Sequence, residues 1–136
     1  MILGIGNDLC DVERMSGVIQ RHGQRFLDRT FTQSEQVLAQ CRSEPYLFYA
    51  GRFAAKEAFV KALGTGIIEQ VNWTDIEILA SRSGQPIATI SGVALTRLRR
   101  LADRGIDTVV HVSISHDARF ATALVILEAR DRPGGH

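Results

Sequence analysis

Apolar and polar positions change period several times along the chain, and each change marks an element. From Ile2 to Asp8 the pattern alternates, with Gly4, Gly6 and Asp8 on one side of an extended segment and Leu3 and Ile5 on the other, which predicts a strand ending in a carboxylate. Val12, Met15 and Ile19 then recur at helical spacing, with Asp11 as N-cap and Gly23 as the stop, while Arg14, Val18 and Arg21 share another face. Thr32-Gln33-Ser34-Glu35 has the form of a capping box ahead of Val37, Leu38 and Cys41, and Ser43-Glu44-Pro45 opens the next helix with proline in its first turn. The segment Ser43 to Leu63 is the strongest helical signal, rich in alanine and closed by Gly64-Thr65-Gly66.

Beyond that point the period shortens. Trp73 to Leu79 and Ile87 to Ile90 predict two strands joined through a turn containing Gly84 and Pro86. Ala94, Leu95, Leu98 and Leu101 restore helical spacing until Gly105, after which Thr108 to His116 and Ala121 to Leu127 predict a second hairpin. The order strand, three helices, two strands, helix, two strands, without an internal repeat or linker, predicts a single α+β domain with a mainly antiparallel sheet packed against the long central helix. The domain is expected over residues 1–128, with 129–136 as a polar C-terminal tail.

Composition narrows the class. The 136 residues carry 16 Lys and Arg against 15 Asp and Glu, a net charge of +1, so no global basic field favours nucleic acid and any anion site must be local. No apolar run approaches the ~20 residues that span a bilayer, and the first residues lack a basic, cleavable leader, so a cytoplasmic protein without a membrane contact is expected. Cys10 and Cys41 lack metal-ligand spacing and are expected as reduced, partly buried thiols.

On a helical wheel Leu47, Ala50, Gly51, Ala54, Ala58 and Ala62 form a close-packing stripe. Glu57 falls at its edge and Lys61 lies one turn later, whereas Arg52 and Lys56 point toward a different side. A carboxylate and an ammonium against a packing face need partners from another element, and Asp8 is a candidate. Two carboxylates without clustered His or Cys suit a hard cation such as Mg²⁺, which completes its shell with water and phosphate oxygens. Read singly, each of these charges is equally an ordinary cap or surface pair. In Val110 to His116 the strand period sends His111, Ser113 and Ser115 to the polar face, where His111 has the chemistry to contact phosphate or handle a proton.

Taken in order, Gly4-Ile5-Gly6-Asn7-Asp8, the run Arg52-Phe53-Ala54-Ala55-Lys56-Glu57-Ala58-Phe59-Val60-Lys61-Ala62-Leu63-Gly64-Thr65-Gly66, Asp75-Ile76-Glu77-Ile78 and His111-Val112-Ser113-Ile114-Ser115-His116 resemble the holo-acyl-carrier-protein synthase family of small phosphopantetheinyl transferases. The resemblance implies a Mg²⁺-dependent enzyme that moves 4′-phosphopantetheine from coenzyme A to a serine of apo-acyl carrier protein, releases adenosine 3′,5′-bisphosphate and supports fatty-acid biosynthesis. It implies Asp8 and Glu57 as metal ligands, with Lys61 neutralising the pyrophosphate as the phosphoanhydride bond breaks. It also implies Arg52, Gly64, Thr65, Gly66, His111 and Ser113 around the nucleotide and phosphates, and Arg14 and Arg21 as contacts for the carrier. The proton acceptor for the serine stays open among Asp8, Glu57 through a bound water, and His111.

Members of the family are similar to one another in forming homotrimers with sites between subunits, which is the expectation here. Gln85 stands before Pro86 where relatives often carry a basic residue. Two alternatives accompany the enzyme reading: a noncatalytic carrier-binding or assembly protein, and a general nucleotide-binding module.

Overall fold

The computed structural model describes residues 1–64 and 71–132. Strand β1 (Ile2–Asp11) leads into helices α1 (Val12–Thr30), α2 (Gln33–Gln40) and α3 (Pro45–Leu63). A 3-10 turn at Trp73–Asp75 precedes the hairpin β2 (Ile76–Ala80) and β3 (Pro86–Ile90), then α4 (Gly92–Arg99) and the long hairpin β4 (Ile106–His116) and β5 (Phe120–Asp131). All strand pairs are antiparallel, in two sheets: β1-β5-β4, and β2-β3. The expected α+β order is therefore present.

Local chemistry sets several boundaries. Asp11 caps α1 by accepting from the Arg14 amide at 3.1 Å. Thr32 and Glu35 form the reciprocal capping box of α2. Gly64 closes α3 in the left-handed region, with φ of 73°. Gly23, at φ 60° and ψ −140°, ends the first helical stretch of α1 as expected, and a second stretch follows it directly, whose Phe26 and Leu27 pack on the cluster formed by Met15, Ile19, Phe31 and Tyr49. One boundary differs from expectation. Strand β5 runs on through Ala129 and Arg130 to Asp131, paired with Thr108, Asp107 and Ile106, so the tail begins later than residue 129.

Helix α3 is the pivot. Its alanine stripe is wholly buried, with Ala50, Ala54 and Ala58 at 0% exposure, and lies across the inner face of the three-stranded sheet. A Cβ added to Gly4 would sit 2.0 Å from the Ala62 carbonyl oxygen, and one on Gly6 would sit 2.0 Å from that of Ala58. Backbone meets backbone there, and only glycine fits.

The opposite flank of α3 is held by charge. Lys56, fully buried, donates to Glu35 Oε1 at 2.9 Å, to the Trp73 carbonyl at 3.0 Å and to the Ile76 carbonyl. Glu35 Oε2 accepts from the Ile78 amide at 2.9 Å. This network ties α2 and the β2–β3 hairpin to α3, and Lys56 is an internal strut between those elements.

Substituting Gly6→Ala forces β1 off α3, and a loss of at least about 3 kcal/mol is expected in chemical denaturation. Gly17→Ala, whose added Cβ meets nothing within 4 Å, is expected to change stability by less than about 1 kcal/mol. Equal stability of the two variants would contradict the close approach.

Candidate active site

The approach of β1 to α3 brings Asp8 alongside the last turns of the helix. Asp8 and Glu57 line one cleft, and Lys61 Nζ donates to Asp8 Oδ1 at 2.8 Å and to the Asn7 carbonyl at 3.2 Å. Asp8 is 11% exposed and Lys61 57%, so an inner carboxylate carries an outer, solvent-facing ammonium. The Lys61 ammonium is held above its usual value mainly by this hydrogen bond.

Glu57 is half-buried. Burial first, and then the hydrogen bond and charge of Asp8, push its carboxyl from 4.5 up to about 7, while Lys61 and Arg14 oppose the shift. Two hard oxygen donors lining one cleft are the ligand type that would hold a divalent cation, with water and phosphate filling the rest of its shell. Among the described residues no group of three or more His, Cys, Asp and Glu competes as a metal site.

The pair opens on a cleft of ≈ 460 Å³ between α1 and α3, walled by Cys10, Met15, Val18, Phe26, Phe53 and Phe120 with Arg14 at its edge. The apolar members of this wall were not evident in the sequence, because Phe26 follows the break at Gly23 and Phe53 adjoins the alanine stripe. The Cys10 thiol, pushed up to about 11 mainly by burial and then by Glu57, is inert as a nucleophile at neutral pH. Cys41, expected to be partly buried, is exposed. Arg21 lies two turns beyond Arg14 on α1, on the exposed surface.

The other expected site residues are not gathered here. Arg52 lies roughly 140° around α3 from Glu57 and lines a separate cleft of ≈ 320 Å³ with Arg42, Phe48, Pro86 and His116. Its guanidinium donates to the Ile78 and Leu79 carbonyls at 3.2 and 3.5 Å and stacks on Phe48 at 4.2 Å. Burial, and then repulsion from Arg42, pull it down to about 10. Gln85 is exposed in the turn between β2 and β3, its amide bonded to the Ser81 hydroxyl at 3.2 Å.

Register separates His111 and Ser113 from Asp8. Asp8 pairs with Ala123 and Ala123 with Ile114 on the face against α3, whereas Ile5, Ile126 and His111 form a row three residues further along, on the outer face, and Ser113, in the row beside Asp8 with Asn7 and Leu124, faces outward as well. Within one chain these two residues cannot reach the carboxylate pair. Gly64 is the exposed C-cap of α3; Thr65 and Gly66 lie outside the described residues.

Residues 4–125 match the 4′-phosphopantetheinyl transferase superfamily, which covers every element up to the middle of β5. The chain belongs to this superfamily. A holo-[acyl-carrier-protein] synthase of Brucella ovis is 45% identical over 129 residues, covering 95% of this chain and 96% of that protein. Among solved structures, the holo-[acyl-carrier-protein] synthase of Neisseria meningitidis superposes with a TM-score of 0.79 at 36% identity, covering 94% of this chain and 99% of that one. The Bacillus anthracis enzyme in complex with CoA (3′,5′-ADP) gives 0.76 at 36% identity, covering 96% and 99%.

The raised Glu57 carboxyl has a signed consequence for stability. Its folded pKa lies above its unfolded one, so the metal-free fold loses stability as pH rises from 4.5 through about 7. At pH 8 Glu57→Gln is expected to stabilise the metal-free chain by about 1–2 kcal/mol, discounted for solvent screening, and at pH 5 by much less. Melting both chains in chelator across this range checks it; a difference independent of pH would contradict the raised Glu57 carboxyl.

Proposed function

We propose that this chain is a holo-[acyl-carrier-protein] synthase, transferring 4′-phosphopantetheine from coenzyme A to a serine of apo-acyl carrier protein and releasing adenosine 3′,5′-bisphosphate. The observation that carries this reading is the Asp8, Glu57 and Lys61 constellation at the mouth of a cleft, in a chain of this superfamily whose relatives bear that name. In the reaction the serine oxygen forms a bond to the phosphorus of the pantetheine phosphate, the bond to the bridging diphosphate oxygen breaks, and the serine proton passes to a base.

Asp8 and Glu57 would hold Mg²⁺, which supplies charge neutralisation at the diphosphate. Lys61, exposed and paired with Asp8, adds a cation where negative charge develops on the leaving oxygen. Alignment and cation clamping dominate such a transfer, because the phosphorus is already ringed by anionic oxygens. Arg14 and Arg21 on α1 would receive an acidic carrier next to the cleft.

Arg52, His111 and Ser113, with the glycine segment 64–66, belong to the nucleotide end of coenzyme A in this reading. Because His111 and Ser113 sit on the outer sheet face, they would serve a site completed by another copy of the chain. That face exposes Ile5 at 59%, Leu9 at 62% and Leu124 at 41%, an apolar surface suited to a subunit contact. We therefore read the active form as a homotrimer with sites between subunits, working in the cytoplasm for fatty-acid biosynthesis. Among the described residues no helix is long and apolar enough to cross a membrane.

Incubation with Mg²⁺, coenzyme A and apo-carrier is expected to raise the carrier's intact mass by one phosphopantetheinyl group. Lys61→Met is expected to lower turnover by about 100-fold while leaving the fold intact. Carrier binding without any mass increase would instead support a noncatalytic binding protein, and unchanged turnover in the variant would remove Lys61 from the chemistry.

A further inference from the structure

A cluster of cations lies at the far end of the sheet from the carboxylate pair. The segment Arg97 to Arg104 carries four arginines and one aspartate in a chain whose net charge is +1. Arg99 ends α4 and Arg104 stands in the turn before β4, and both line a cleft of ≈ 520 Å³ between these elements. Asp8 pairs with Ala123 whereas Ile106 pairs with Asp131, eight positions along β5, which puts the cleft roughly 27 Å from the candidate active site.

The charges of this cleft do not cancel. Arg132 Nε donates to Asp107 Oδ1 at 2.8 Å, so these two satisfy each other. Arg99 and Arg104 are left with the single carboxylate of Asp103, and among the described residues neither guanidinium is in an ion pair. A cation in the last turn of a helix complements the macrodipole, which accounts for Arg99. It does not account for Arg104, which lies five residues past the end of α4. The turn that carries Arg104 is fixed by the Ile106 amide, which donates to the Asp103 carbonyl at 3.1 Å, and by Gly105 at φ 84°. Leu95, Ala102, Ile106 and Val109, each partly buried, give the same cleft an apolar wall.

Two cations beside an apolar wall select an anion that has an organic body. One planar guanidinium fork already occupies both oxygens of a carboxylate. A phosphate monoester presents three acceptor oxygens and up to about two negative charges, enough for two arginines from separate elements. We infer that the cleft between α4 and β4 is a second ligand site, which takes a soluble amphiphile with a phosphate monoester head. The head meets Arg99 and Arg104, and the hydrocarbon part lies on the wall formed by Leu95, Ile106 and Val109. This site stands apart from the transfer reaction and does not depend on the roles of Asp8, Glu57 and Lys61.

Octyl phosphate, titrated below its aggregation concentration into the isotope-labelled chain, is the probe. A cluster of amide shifts is expected across Ala102 to Val109. In that segment inorganic phosphate, the head without the chain, is expected to bind about 10-fold more weakly or worse, and octyl glucoside, the chain without the charge, to cause no shift. Arg99→Gln/Arg104→Gln is expected to weaken octyl phosphate by about 10-fold or more. Arg29→Gln/Arg82→Gln, which removes two charges from exposed positions elsewhere, is expected to leave its affinity within about twofold. No shifts in that segment, equal losses in the two double variants, or equal binding of octyl phosphate and either half-probe would overturn the site. Sedimentation of the chain with anionic phospholipid vesicles, without any shift from octyl phosphate, would overturn it in favour of a membrane surface.

Discussion

The structure depends on a contact in which side chains are missing. Gly4 and Gly6 let the backbone of β1 lie directly on the carbonyls of Ala62 and Ala58, and no other residue type leaves room for that approach. Every feature of the candidate site follows from it. With β1 seated so closely, Asp8, two residues beyond Gly6, meets Lys61 across the interface, and two carboxyl groups that are 49 positions apart in the chain line one cleft. The alanine stripe of α3 supports the same geometry, because larger residues at 54 or 58 would lift the sheet off the helix.

A helix pressed against a sheet by small residues gains little grip from side-chain volume, and α3 is fixed on its other flank by a different means. Lys56 and Glu35, both without solvent exposure, satisfy one another and the carbonyls and amide of the segment around Ile76 and Ile78. Such a pair adds modest net stability, but losing either partner would strand a buried charge, so it specifies how α2 and the β2–β3 hairpin dock. Helix α3 thus divides its polar residues: Lys56 holds the fold, while Glu57 lines the cleft and Lys61 reaches Asp8.

Much of this was legible in the chain. Period-two alternation gave the strands, the capping residues gave most helix ends, and the alternation of β1 put Gly4, Gly6 and Asp8 on one face. The helical wheel separated Lys56 from Glu57, but angle alone does not reveal what covers a helix face, and the burial of Lys56 depends on Glu35, a residue also spent on a capping box. Gly23 read as a stop, and its positive φ does end the first helical stretch; the second stretch, held by the packing of Phe26 and Leu27, carried no comparable signal. The parity of His111 and Ser113 was readable as well. Their separation from Asp8 was not, since it comes from the pairing of β1 and β4 on either side of β5, a nonlocal choice that spacing does not encode.

The central claim is that Asp8 and Glu57 form one seat for a hard divalent ion. Titration of the chain with Mn²⁺ in the presence of coenzyme A, followed by electron paramagnetic resonance, tests it most directly, because Mn²⁺ takes similar oxygen ligands and its signal reports immobilisation. The account predicts one immobilised ion per chain in the wild type, and loss of that ion in Asp8→Asn and in Glu57→Gln. An ion held equally well by both variants, or none held by the wild type, would contradict it.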